Sequence, residues 1–267
     1  MDEYLDKWRL ANPEKIAATH TSEVYKVQDH NDNVLILKCF NEIGIKDEAG
    51  GSILLEYYGA KGAINLIAFD EKAQLLEYAE GEELSELVKN GDDKKATKIV
   101  CDVIKDLHKE RSIEFPKTLI PLKEWFKDLF VAADKDGDEM LVLAAKVAED
   151  LLLTTKTSIP LHGDIHHHNI IKAKRGWLAI DPKGLIGDPC YDVANIYGNP
   201  EGMHTLWHSI DRIDMLTQIF SENLGYPRER LLKFSFVHNA ISSIWSGATS
   251  VDRQARFELA KLIYSRL

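Results

Sequence analysis

A carboxylate and a carboxamide with four residues between them, Asp164 and Asn169, followed after a short interval by Asp181, are the side chains best suited to chemistry in this chain. Moving a phosphoryl group from a nucleotide to a hydroxyl takes a base beside the acceptor, hard oxygen ligands for the magnesium that bridges the phosphates, and a cation for the phosphates left behind. Asp164 suits the base, Asn169 and Asp181 suit the magnesium ligands, and Lys38, closing the apolar run Val34-Leu-Ile-Leu-Lys38, suits the cation. Taken singly, each Asp is as well explained by a turn at a strand end, and Lys38 by a solvated edge charge. The combination of Asp-x-x-x-x-Asn with Ile180-Asp181-Pro182 outweighs those readings.

These residues need elements to hold them. Short apolar runs at Ile170-Ile171 and Trp177-Leu-Ala-Ile180, around Lys172-Ala-Lys-Arg-Gly176, predict a hairpin flanked by the two Asp-bearing loops. Upstream, Glu23–Val27 alternates, Asn31-Asp32-Asn33 is turn chemistry, and Val34–Lys38 resumes a β-rich run, which together predict a second hairpin. A helix over Asp47–Tyr58 and strands over Ala63–Phe69 and Gln74–Tyr78, joined by Asp70-Glu71-Lys72, complete the order β-β-α-β-β. Beyond Ala79-Glu80-Gly81 the apolar period lengthens to that of helices. Ile99, Val100, Val103, Ile104 and Leu107 share a helix face that Asp92 or Asp93 would cap, and further helices are expected over Leu122–Ala133, Glu139–Leu153, Pro227 to Gly247 and Asp252–Leu267. The expected class is α+β, with a small antiparallel-sheet N-terminal lobe over residues 1–79 and a larger, mainly helical lobe over residues 80–267 carrying the catalytic loop and acceptor site.

Composition excludes more than it assigns. A chain with 45% apolar and 28% charged residues is ordinary for a globular protein, and its formal charge of −10 disfavours nucleic acid and anionic membranes while suiting a cationic partner. Cys39, Cys101 and Cys190 have neither disulfide nor zinc-site spacing, no segment reads as a signal peptide or a transmembrane helix, and a reducing cytoplasmic setting is expected. Oligomeric state is not readable.

The tract Leu161-His162-Gly163-Asp164 through Asn169, with Arg175-Gly176-Trp177 through Ile186-Gly187, resembles the aminoglycoside phosphotransferase family, especially its streptomycin 6-kinase and hydroxyurea phosphotransferase-like branch. The similarity runs from about Thr21 to about Ala248. It implies a bilobal, protein-kinase-like fold, ATP (with GTP left open) and Mg2+ as cofactors, Asp164 as catalytic base, and Asn169 and Asp181 as metal ligands. It also implies that Lys38 binds phosphate with Glu48 as its ion-pair partner, Glu42 being a rival. The phosphate-covering turn would be Thr19-His20-Thr21-Ser22-Glu23, where the hydroxyls and amides of Thr21 and Ser22 stand in for absent glycines; a plain polar turn is the competing reading. Glu77-Tyr78-Ala79 would offer backbone hydrogen bonds to the adenine edge, from Glu77 and Ala79.

The neighbours of these residues are assigned less. His166, His167 and His168 invite zinc, but consecutive side chains converge poorly on one ion, and His162 is expected to bond backbone and hold the loop. The loop Asp134–Glu139 departs from calcium-loop spacing and reads as a connection. Asp192 would either cap a helix at Val193 or brace the catalytic loop. Asp188, Asn239 and Trp245 are candidate acceptor contacts, with a plain core role favoured for Trp245. The function expected from the resemblance is transfer of the ATP γ-phosphate to a hydroxyl of a cationic small molecule such as streptomycin. A kinase for another small metabolite, or a silent nucleotide-binding regulatory module, are the alternatives, and silence is disfavoured because a pure binding module needs no spaced base.

Overall fold

Alternation along Val34–Phe40 sorts one strand into two faces. Leu35 and Leu37 pack into a small core with Tyr4, Leu10, Val27 and Leu75, whereas Ile36 packs against the main core, on the face that also carries Lys38. A computed structural model describes residues 1–47, 49–246 and 250–267. In it a helix α1 (Asp2–Trp8) leads into strands β1 (Ala11–Ala18), β2 (Ser22–Gln28) and β3 (Val34–Phe40). Helices α2 (Glu42–Asp47) and α3 (Ala49–Tyr58) follow, then β4 (Leu66–Phe69) and β5 (Ala73–Glu77). The five strands form one sheet in the order β1-β2-β3-β5-β4, with every neighbour antiparallel. Gln74 of β5 donates to Ser52 of α3 at 2.6 Å, both buried, which ties that helix to the inner face of the sheet.

The expected β-β-α-β-β order is present. The sequence pattern marks neither α1 nor β1, because β1 is exposed along its whole length and carries Pro13, which an edge strand tolerates. The helical body comprises α4 (Ser85–Lys89), α5 (Asp93–Leu107), α6 (Leu122–Trp125), α7 (Lys127–Asp136), α8 (Glu139–Thr154), α9 (His204–Trp207), α10 (Ile210–Leu224), α11 (Arg228–Trp245) and α12 (Val251–Tyr264). Asp92 stands at the N-cap of α5 without a side-chain cap bond, and Asp93 instead accepts from Arg212. Of the Asp134–Glu139 segment, expected to be a connection throughout, only Gly137 and Asp138 lie between helices: Gly137 closes α7 in the left-handed region and Asp138 caps α8. The helix α11 ends at Trp245, two residues short of the expected Gly247, which lies outside the described residues.

Buried on nearly all sides, α11 is the central helix of the body, and its buried polar groups are satisfied both within the helix, where Ser235 donates to Leu231 O and Asn239 to Ser235 O, and beyond it, where His238 Nδ1 lies 3.0 Å from the Tyr191 hydroxyl. Two short sheets that sequence patterning separates only in part bracket the chemistry. Strands β6 (Ile120–Pro121), β10 (Leu185–Gly187) and β7 (Ile159–Leu161) form one, and β8 (Ile170–Ala173) with β9 (Gly176–Ala179) forms the expected hairpin. No helix of the described residues is long and apolar enough to cross a membrane.

Candidate active site

The chain leaves β7 at Leu161, runs through His162–Asn169 into β8, returns along β9 to Ile180, and passes Asp181 into β10, which pairs back onto β7. Both Asp-bearing loops are therefore pinned at each end by strand pairing. The Ile180 amide donates to Asn169 O at 2.9 Å, which makes Asn169 and Asp181 near neighbours across the hairpin mouth. His162 is fully buried; Nε2 donates to Ile180 O at 2.8 Å, while Nδ1 accepts from the Asp164 amide at 3.3 Å. Burial holds this imidazole below its ordinary pKa, so the neutral tautomer ties the two loops together. Gly163 has φ +82°, and a Cβ there would run into Leu185.

Beneath the loop, Asp192 accepts from the His162 amide at 3.0 Å and the Gly163 amide at 2.7 Å, and from His108 Nε2 at 2.8 Å. Of its two expected roles, Asp192 therefore takes the brace. The cap belongs to Asp188, whose Oδ1 accepts from the Cys190 amide at the start of the 3-10 segment Pro189–Gly198.

The structure brings Lys38, Asp164, Asn169 and Asp181 together. Lys38 is 4% exposed and its Nζ lies 2.9 Å from Asp181 Oδ1, across 143 residues of sequence. Burial works to raise the Asp181 carboxyl, but the charge and hydrogen bond of Lys38 prevail and hold it below the usual range, aided by Lys183 and His162. Asp181 itself has φ +55°, a conformation that non-glycine residues adopt at a cost and that is retained here between two paired segments. Asn169 donates from Nδ2 to Asp164 O at 3.0 Å, so its Oδ1 is the end suited to a cation. A carboxylate and a carboxamide oxygen on neighbouring loops are hard donors that fit magnesium, which keeps water and phosphate in its remaining positions. Among the described residues no group of three His, Cys, Asp or Glu forms a metal site, and His168 pairs with Glu83 at 2.6 Å, which leaves the histidine tract without a zinc arrangement.

Glu48 lies outside the described residues. Thr21 and Ser22 form a turn closed on itself: Thr19 Oγ1 lies 3.2 Å from Thr21 Oγ1 and 3.0 Å from Ser22 Oγ, and Ser22 is 2% exposed. Glu77 turns its carboxylate to Arg175, at 2.6 Å from Nη2, and its amide donates to Asn65 O; Ala79 follows at the junction with the helical body. Burial favours protonation of Glu77, yet Arg175 keeps its carboxyl below the ordinary value.

A cavity of about 360 Å3 opens beside Asp164, lined in part by Trp125, Lys183, Asn195, Glu201, Trp245 and Arg256. Trp245 is 41% exposed there, donates to Asp128 and packs edge-on against Trp125, so it is a wall of the cavity rather than a core residue. Asp188 and Asn239 do not line it. Asp188 is bound to Arg230 at 2.7 Å and borders a separate cavity, while fully buried Asn239 stands behind Arg256, accepting from its Nη1 at 3.2 Å. Asn195, Glu201 and Arg256 carry no sequence signal of their own, except that Asn195 is three residues from Asp192 and so shares its side of a tight helix.

Residues 7–249 match the family model described as aminoglycoside/hydroxyurea antibiotic resistance kinase. The chain belongs to this family. It is 35% identical over 246 residues, 90% of each chain, to a streptomycin 3''-kinase from Klebsiella pneumoniae, and 26% identical over 264 residues to a streptomycin 6-kinase from Streptomyces griseus, covering 90% of this chain and 80% of that one. In fold it is similar to a choline kinase from Streptococcus pneumoniae, with a TM-score of 0.69, 15% identity, and coverage of 99% of this chain and 97% of that one. The chain has the bilobal protein-kinase-like fold and is a phosphotransferase that takes phosphate from ATP and passes it to a small-molecule hydroxyl.

Proposed function

We propose that the chain phosphorylates an aminoglycoside of the streptomycin type, with Asp164 as the base that takes the acceptor proton. The observation that carries this reading is that Asp164 lines a cavity that also holds Glu201 and an exposed tryptophan, groups suited to a cationic, sugar-like acceptor, while Lys38 pairs with Asp181 on the loop after the hairpin. Lys38 would hold the phosphates that stay behind, Asn169 and Asp181 would hold Mg2+, and the turn at Thr21 and Ser22 would cover the nucleotide. When bound, the magnesium ion neutralises charge on the phosphates. Backbone groups of Glu77 and Ala79 would meet the adenine edge, and residues 1–79 and 80–267 would be the nucleotide and acceptor lobes. Higher identity to the 3''-kinase than to the 6-kinase supports the 3''-hydroxyl as the position modified. A cytoplasmic setting, where ATP is supplied, suits three free cysteines.

The test is ADP release from ATP over a panel including streptomycin, hydroxyurea and choline, with NMR assignment of the phosphorylated position. Streptomycin-dependent turnover yielding the 3''-phosphate is expected. Turnover with choline or hydroxyurea in preference to streptomycin would replace the acceptor assignment, and no ADP release with any acceptor would overturn the function.

A further inference from the structure

Asp164 has a side-chain partner on a separate element. Asn195, 8% exposed on the 3-10 segment, donates from Nδ2 to Asp164 Oδ1 at 2.9 Å. The other end of its amide is occupied as well: Oδ1 accepts from Asn199 Nδ2 at 2.9 Å and from Arg256 Nη1 at 3.4 Å. A half-turn of the amide would press oxygen against a carboxylate and nitrogen against two donors, so these contacts fix which end meets Asp164. Arg256 is itself held, over the Trp207 ring at 5.1 Å and against Asn239 Oδ1. His166 Nε2 stands 4.0 Å from the same Oδ1 of Asp164. Both side-chain neighbours thus attend one oxygen of the carboxylate, in a residue that lines the acceptor cavity.

A carboxylate free to rotate presents either oxygen in many directions, and proton transfer then waits on orientation. We infer that Asn195, locked by Asn199 and Arg256, is a positioning residue that holds Asp164 so that Oδ2 receives the acceptor proton; this rests on the reading of Asp164 as base. In the step so arranged the acceptor O–H bond breaks and its proton passes to Oδ2. The acceptor oxygen pair forms the new O–P bond, and the bond from γ-phosphorus to the bridging oxygen breaks, with its electron pair leaving on ADP.

The experiment compares Asn195→Ala, Asn195→Asp and Asp164→Asn with the unaltered chain, following ADP release with magnesium-ATP and streptomycin. Asn195→Ala should lower kcat about tenfold to a hundredfold, with both KM values within about twofold and the thermal shift on magnesium-ATP retained. Asn195→Asp keeps the volume but puts an acceptor where Asp164 needs a donor, so it should be slower than Asn195→Ala. A kcat near that of the unaltered chain in both variants, Asn195→Asp faster than Asn195→Ala, or matched rises in both KM values with loss of the thermal shift would each overturn the inference. Asp164→Asn separates the two readings: substantial turnover there removes the base itself, whereas an inactive Asp164→Asn beside a fully active Asn195→Ala removes only the positioning role.

Discussion

Two parts of the molecule that carry candidate site residues, the catalytic segment 162–187 and the turn 19–22 of the upper sheet, are held in opposite ways. The first is clamped by β7–β10 and β8–β9 pairing, by buried His162, and by Asp192 reaching up from the 3-10 segment. The second hangs between β1, exposed along its length, and β2, and is closed largely by hydroxyls bonding within the turn, with Asn41 donating to the carbonyls of His20 and Thr21. Groups whose chemistry depends on tenths of an ångström sit where long-range contacts over-determine them. As the proposed cover over a nucleotide, the turn would have to open and close, and local bonds permit that. The same contrast is visible where the lobes touch: Gly51 of α3 lies so near Pro182 that a Cβ would overlap its carbonyl oxygen, which fixes the segment just after Asp181 against the upper lobe.

If this contrast is right, changes in the clamped segment are close to all-or-none and changes in the turn are graded. Asp164→Ala should lower kcat by about a thousandfold or more while moving the melting temperature little, since a partly exposed carboxylate is removed from a cavity wall. Asp192→Ala leaves two buried amide donors and His108 without their acceptor and should cost about 3 kcal/mol in a denaturant titration, with activity falling alongside. Lys38→Met should reduce kcat/KM for ATP about a hundredfold, because it strips the cation from Asp181 and from the phosphates.

Acid tests the buried histidines, His162 of the clamp and His238 of α11 among them. Burial, with the charges of Arg256 and His166, pushes His238 down to about 3 from an ordinary 6.5, and His162 and His167 are lowered in the same direction. Between those two values the unfolded chain binds a proton that the folded chain refuses, so stability falls as pH falls below 6.5, by roughly 2 kcal/mol at pH 5 from His238 alone. Melting curves from pH 7 to pH 5 should show that loss, and His238→Gln should remove the share that His238 contributes, leaving that of His162 and His167. Smallest of all, Thr21→Ala should raise KM for ATP about threefold with kcat within about twofold. A hundredfold effect from Thr21→Ala would mean that the turn is as determined as the loop, and the contrast would fail.

Local pattern determined a good deal of this protein. The spacing of Asp164, Asn169 and Asp181, the hairpin between them, Lys38 on an alternating strand and the helices α5, α8, α11 and α12 are legible, because each depends on residues within one or two turns of chain, whereas α4, α9 and α10 are not expected from the sequence. Elements without an apolar period, such as β1 and the 3-10 segment, left no comparable mark. Tertiary structure alone decided that Asp192 braces the loop, that Asp188 is spent on Arg230, that Trp245 walls a cavity and that Asn195 meets Asp164. Those contacts join residues some 30 to 120 positions apart, and which face of a buried segment meets which loop is set by how the whole core packs, a property that no window of sequence contains.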